Sequence, residues 1–248
     1  MNRKLLLAGK LLACLGAIGA YIYSNAMISE PQADRVQNAR ERASDAVKKL
    51  CADAGLKYPL QRLFFRAIKD ERVLEVWGAD SGRAKFKLIH TYPIAAMSGK
   101  LGPKRREGDL QVPEGFYHID RFNPQSRFLL SLGLNYPNAS DRVLSDKKKP
   151  GGDIFIHGNA VSIGCMAMTD PKIEEIYLLA LSARDSGQSK IPVHVFPFRM
   201  TAKNLAASQQ SPHLVFWQSL KPTFDSFQRT KQVPRVVVDS DGRYSLSK

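Results

Sequence analysis

Apolar positions change their period several times along the chain, and each change marks an element. Val36, Ala39, Ala43, Val47 and Leu50 recur at three- and four-residue spacing within residues 31–56, a stretch rich in Ala, Arg, Lys, Asp and Glu. That spacing lines them up on one face and predicts an amphipathic helix. From Leu60 the pattern shortens to β-rich runs over residues 62–68, 73–77 and 85–92, with Asp80, Ser81 and Gly82 as a turn. Runs of this length bounded by turn residues predict a meander of antiparallel strands.

Residues 98–113 hold Gly99, Gly102, Pro103, Gly108 and Pro113 among Lys100, Lys104, Arg105 and Arg106, the composition of a basic loop. Strand patterns resume over residues 115–119 and 127–134, and a polar segment over 136–152 separates them from a short buried strand at 153–157. Asp170-Pro171 is a helix start, an acceptor at the cap followed by a proline in the first turn, with Ile173, Ile176, Tyr177 and Ala180 as the apolar face. A strand follows at 192–197, then a helix over 214–229 interrupted or started at Pro222, then a hairpin over 233–246 turning at Asp241-Gly242.

Composition narrows the class. In 248 residues, 44% hydrophobic and 24% charged, there is room for one full-sized domain with extra elements. At the N-terminus Arg3 and Lys4 precede an apolar run, Leu5 to Tyr23, interrupted by Lys10 and followed by Ser24, Asn25 and Ala26. This is the layout of a secretory signal over residues 1–26, or of an uncleaved membrane anchor. Leu11 to Cys14 also resembles a lipoprotein cleavage box, but an apolar run follows where a polar tether belongs. The net charge is +14, and without Arg3, Lys4 and Lys10 it is +11. For an exported chain, a basic surface of this size suits wall peptides with free carboxylates or an anionic membrane face better than nucleic acid.

The chemistry concentrates between residues 156 and 170. His157 ends a strand, and Cys165 follows eight positions later after a turn of small residues. A thiol with an ordinary pKa is only a few per cent thiolate at neutral pH, and a neighbouring imidazole can take its proton and later deliver one to a leaving amine. Gly164 permits a tight turn, so that N–H groups at Gly164 and Cys165 are expected to face a developing oxyanion, with Ser162 supporting the turn or binding substrate. Three other readings stand beside this one. Cys165 is a small core residue and His157 a strand-end histidine. Ala160-Val161-Ser162-Ile163-Gly164, one residue away from a G-x-S-x-G elbow, makes Ser162 the nucleophile, although the helix starts too late for that fold. A metal binds His157, Cys165 and His194 or His118, without any paired ligand spacing to recommend it. Cys51 is the remaining thiol beyond the leader; a bridge to Cys165 would silence the nucleophile, so Cys51 is expected unpaired.

His157-Gly158 and Ser162-Ile163-Gly164-Cys165 together resemble the signature of the L,D-transpeptidase catalytic domain family of the YkuD type. Gly102-Pro103-Lys104, Gly108-Asp109, Pro113-Glu114-Gly115-Phe116-Tyr117 and Pro197-Phe198-Arg199-Met200-Thr201 are similar to blocks of its YafK-like branch. The resemblance implies a mostly β catalytic domain, sandwich-like with short helices, over residues 59–200. A helical lead-in at 27–58 precedes it, and a C-terminal helix and hairpin at 201–248 pack on it. It further implies that Cys165 attacks the carbonyl at the L-centre of meso-diaminopimelate in peptidoglycan stem peptides, forming a thioester, with no cofactor and no metal. Gly158 would orient His157 through its backbone carbonyl. Lys104 and Arg199, in the shared blocks, are candidates for gripping a substrate carboxylate. Ile163 stands where most members carry a second histidine, and Met166-Ala167 replaces residues that include an arginine, which leaves cross-link formation and hydrolysis both open. The branch includes an enzyme that hydrolyses the link between murein and the major outer-membrane lipoprotein, so murein-bound lipoprotein is a candidate partner in the periplasm of a Gram-negative cell.

Overall fold

The computed structural model describes residues 34–247; the expected signal at 1–26 lies outside them. The elements are α1 (Arg35–Asp53), β1 (Arg62–Ile68), β2 (Val73–Ala79), β3 (Lys87–Pro93), β4 (Ala96–Met97), β5 (Gly115–Ser126), β6 (Leu129–Leu134), α2 (Ala139–Leu144), β7 (Phe155–His157), β8 (Met166–Ala167), α3 (Asp170–Asp185), β9 (Pro192–Phe196), α4 (Ala202–Ala207), α5 (Leu214–Thr230), β10 (Val236–Val238) and β11 (Tyr244–Leu246).

Nine strands form one sheet in the order β3-β2-β1-β9-β5-β6-β7-β8-β4. Its two edge strands, β3 and β4, are separated in the chain only by Ile94 and Ala95, so the sheet curls until its edges meet. The turning point is β5: its first residues pair with β9 and its later ones with β6, across two register shifts. β1, β2 and β3 form the expected antiparallel meander, whereas β9 joins β1 in parallel. The mostly β architecture with a leading helix and a C-terminal helix and hairpin is therefore present.

β1 shows why the runs at the start of the sheet are continuously apolar rather than alternating. Leu63, Phe65 and Ala67 enter a core shared with Ala39, Ala43 and Val47 of α1 and Ile173, Ile176 and Ala180 of α3. Phe64 and Ile68 point the other way, toward Trp217, Leu220, Phe224 and Phe227 of α5. A strand covered on both faces has no solvent side to keep polar. Arg66 on the α5 side is nevertheless charged; it is buried with Glu75, which also accepts from Trp77 Nε1.

Several boundaries differ from the sequence reading for identifiable reasons. β5 continues to Ser126 rather than stopping near Ile119, because its outer half pairs with β6 while Asp120, Arg121 and Gln125 face water. Arg127 and Phe128 form the hairpin turn instead of opening a strand. α2, inside the polar segment, is set by a capping box in which Asn138 and Asp141 satisfy each other's backbone N–H groups. α5 runs straight through Pro222: its buried face, with Trp217, Leu220 and Phe224, outweighs a missing donor.

Candidate active site

β7 and β8 are parallel neighbours with Ile156 opposite Met166 and His157 opposite Ala167. Side chains alternate along a strand, so His157, Ala167 and Cys165 share one face, while Ile156, Met166 and Met168 enter the core behind. Cys165 lies one strand over and two residues back from His157's partner, roughly 8 Å between Cα atoms by strand spacing and rise. Both side chains line a pocket of about 280 Å³ with Asn123, Ser126, Arg127, Phe128 and Phe155.

His157 is buried, and its Nδ1 lies 2.6 Å from the Gly158 carbonyl. A carbonyl oxygen only accepts, so Nδ1 carries the proton and Nε2 is left as the acceptor. Phe128 stacks on the imidazole with ring centroids 4.5 Å apart, fixing its plane. Gly158 itself is enclosed: an added Cβ would sit 2.5 Å from Asp170 Oδ1 and 2.6 Å from the Phe128 carbonyl. Asp170, besides opening α3, accepts the Asn159 N–H at 2.7 Å and so ties the following loop to the helix start.

Cys165 is half-buried, and its Sγ points at the Asp153 carbonyl 3.6 Å away. Burial pushes the thiol up from its ordinary pKa, with the Asp153 charge adding to this and a Phe155 backbone hydrogen bond and Lys104 opposing it. Burial also lowers His157, against the Gly158 hydrogen bond. Both shifts favour a neutral thiol and a neutral imidazole over a resting ion pair. Cys51 is free and fully buried in α1, so among the described residues no disulfide competes for Cys165.

The Ser162-Ile163-Gly164-Cys165 turn is organised by Ser162. Its Oγ donates to the Cys165 carbonyl at 2.7 Å and accepts from the Cys165 and Gly164 N–H groups at 3.0 and 3.2 Å. In this structure both N–H groups are directed at the serine, not outward toward the position of a substrate oxygen. Ser162 thereby braces the turn, its hydroxyl bonded to three backbone groups. Gly164 has φ 131°, a conformation that favours glycine.

The two candidate carboxylate binders part company. Lys104 lines a second pocket of about 400 Å³ that also reaches Cys165, with Gly151, Gly152 and Ile163, but its Nζ is held by Asp109 at 2.7 Å. Arg199 is not brought to the thiol: its guanidinium is ion-paired with Glu71 and Glu75 beside β2. It therefore lines neither of the two pockets that reach Cys165. His194 is also elsewhere, fully buried between Phe64 and Phe116 and lowered to about 3 by burial and by Arg66, and no histidine joins His157 in lining the thiol's two pockets. Phe128, Arg127 and Asp170 are site residues that sequence reasoning missed; only the last carried a signal, as a helix start, and the expected cap falls one residue earlier, on Thr169, leaving Asp170 as the first helical residue.

Fold and site together define a class: a curled β-sheet domain in which a strand-end histidine and a Gly-Cys turn on parallel strands open into one pocket. The chain belongs to the L,D-transpeptidase catalytic domain family, whose YkuD model matches residues 64–195. The Escherichia coli (strain K12) protein YafK, provisionally named an L,D-transpeptidase, is 39% identical over 188 residues, covering 75% of this chain and 74% of its own. Among solved structures, the helical cell shape determining protein Pgp2 from Campylobacter jejuni aligns with a TM-score of 0.43 at 19% identity, over 78% of this chain and 80% of that one. Mycobacterium tuberculosis L,D-transpeptidase 1 aligns with a TM-score of 0.31 at 16% identity, over 54% and 61%.

Proposed function

We propose that this protein is an exported cysteine acyl-transfer enzyme that opens amide bonds of meso-diaminopimelate in peptidoglycan stem peptides. The observation that carries the reading is the shared pocket of Cys165 and His157, with the imidazole's Nδ1 committed to the Gly158 carbonyl. Membership of the L,D-transpeptidase family supplies the substrate class. The N-terminal Arg3 and Lys4 followed by the apolar run, and the +14 charge, support a site of action in the periplasm of a Gram-negative cell.

Because burial raises the thiol and lowers the imidazole, both neutral forms are favoured and proton transfer belongs to the attack itself. Sγ bonds to the carbonyl carbon at the L-centre while its proton passes to Nε2. When the tetrahedral adduct collapses, the C–N bond breaks, the imidazolium protonates the leaving amine, and a Cys165 thioester remains. An acceptor then loses a proton to Nε2, attacks the thioester and releases the thiol. An amine as acceptor makes a transpeptidase; water makes an amidase, including one that frees murein-bound lipoprotein. The second pocket that reaches the thiol supports room for a second substrate arm.

The test is mass spectrometry of products after incubating the protein and Cys165→Ala with sacculi that carry or lack covalently attached lipoprotein. New diaminopimelate cross-links identify the transpeptidase, and released lipoprotein or freed stems the amidase. An absence of any cysteine-dependent change sinks the proposal in favour of a wall-binding protein.

A further inference from the structure

The β5–β6 turn is immobilised by more bonds than a hairpin needs. Ser126 pairs with Leu129 across the turn, and the Ser126 hydroxyl accepts the Phe128 N–H at 3.1 Å. The Phe128 carbonyl accepts the Gly158 N–H at 3.1 Å, and the Phe128 ring stacks on His157. From α1, Arg35 Nη1 donates to the carbonyls of both Ser126 and Leu129. Arg127 sits between these fixed points, and its backbone is therefore fixed relative to the catalytic imidazole.

Its side chain is the opposite. Arg127 is exposed, lines the pocket that holds Cys165 and His157, and among the described residues has no ion pair, hydrogen bond or aromatic face. The nearby cations differ: Arg121 pairs with Asp153, Arg35 holds the turn, and Lys104 is taken by Asp109. Among the described residues Arg127 is the only Lys or Arg lining that pocket, and the acidic residue that also lines it, Asp153, is paired with Arg121. A guanidinium presents a fork that fits a carboxylate.

We propose that Arg127 is the carboxylate-recognising residue of this pocket, selecting substrates that bear a free carboxylate close to the scissile carbonyl. The inference rests on the stem-peptide reading above. Two carboxylates qualify, the side-chain carboxylate of diaminopimelate and the C-terminal carboxylate of the stem peptide. An unpaired fork on a backbone bonded in place fits a group that must be gripped at a set distance from the thiol.

Calorimetric binding to the full chain in a Cys165→Ala background tests this without turnover. The probes are a diaminopimelate-containing stem peptide, the same peptide amidated at the diaminopimelate side-chain carboxyl, and the same peptide amidated at its C-terminus. The free peptide is expected to bind about tenfold or more tighter than one of the amides, as a charge-assisted pair implies. Which amide is weak identifies the carboxylate. Adding Arg127→Gln should erase that preference, and Arg127→Lys should restore part of it, with thermal unfolding checking that each variant is folded. If Arg127→Gln keeps the preference, or none exists with arginine in place, the proposal is overturned. If the preference behaves as expected but the native enzyme yields no cysteine-dependent product from sacculi, Arg127's role stands and the catalytic reading falls.

Discussion

Replacing Gly158 by alanine should separate the orientation of His157 from the stability of the fold. The new Cβ meets Asp170 Oδ1 at 2.5 Å, the Phe128 carbonyl at 2.6 Å and Ile173 Cγ2 at 3.0 Å, and two of these belong to groups already hydrogen-bonded to the loop. Something must shift, and overpacking of this kind costs about 1–3 kcal/mol. For a domain of this size that lowers Tm by roughly 2–12 °C. The same shift moves the Gly158 carbonyl away from Nδ1, removing the bond that fixes the tautomer and steadies the imidazolium. A hydrogen bond to a charged group is worth about 1.5–3 kcal/mol, so kcat should fall about 10- to 100-fold. Val47→Ala, a buried truncation in α1 remote from the pocket, gives a stability loss for comparison. Steady-state release of product from stem peptides, measured well below the Tm of both variants, is the assay. A Gly158→Ala enzyme that loses stability like Val47→Ala and keeps its kcat within twofold of native would refute the orienting role of the carbonyl.

Three further outcomes follow from other parts of the molecule. The buried thiol is raised and the imidazole lowered: the thiolate fraction is then small at neutral pH and keeps rising beyond the ordinary thiol range, so iodoacetamide labelling of Cys165 should accelerate across that range without levelling off near neutrality. A labelling rate already level at pH 7 would mean a resting ion pair. Lys69 is buried against Glu114 and also donates to the carbonyls of Gly102 and Val112, pinning the basic loop; Lys69→Met leaves the buried Glu114 carboxylate without its cation, held only by the Gly102 N–H and Trp217 Nε1, and should cost about 3–5 kcal/mol in denaturant unfolding, a prediction that a loss under 1 kcal/mol would contradict. Thr223 is buried in α5 with no partner for its hydroxyl among the described residues, so Thr223→Val should be neutral or stabilising by up to about 1 kcal/mol, and a clear drop in Tm would show that its hydroxyl is bonded.

How far the sequence could be read depended on whether the responsible interaction was local. The period of Val36, Ala39, Ala43 and Val47 was enough for α1, and the turn residues between short apolar runs were enough for β1 to β3, because both signals sit within one element. The His157 to Cys165 spacing by itself left a purely structural role for both residues open; it was the resemblance of His157-Gly158 and Ser162-Ile163-Gly164-Cys165 to the L,D-transpeptidase family signature that singled them out. β4 and β8, with two residues each, leave no periodicity to find. The outer half of β5 is polar because only pairing with β6 holds it. Whether a cation is free for substrate was not legible at all. Arg199 is neutralised by Glu71, 128 positions away, while Arg127 looked like an ordinary strand residue and proves to be the unpaired one. The roles of the Gly164 and Cys165 N–H groups were likewise decided by where the Ser162 hydroxyl turned, a rotamer that spacing does not specify.

The central claim is that Cys165 carries the acyl group. Intact-protein mass spectrometry after rapid acid quench of the enzyme with a diaminopimelate-containing stem peptide tests it most directly. The account predicts a mass increase equal to the acyl fragment, located at Cys165 by peptide mapping, removed by hydroxylamine, and absent from Cys165→Ala, which also yields no product. Turnover that survives Cys165→Ala, or an acyl group found on Ser162, would contradict it.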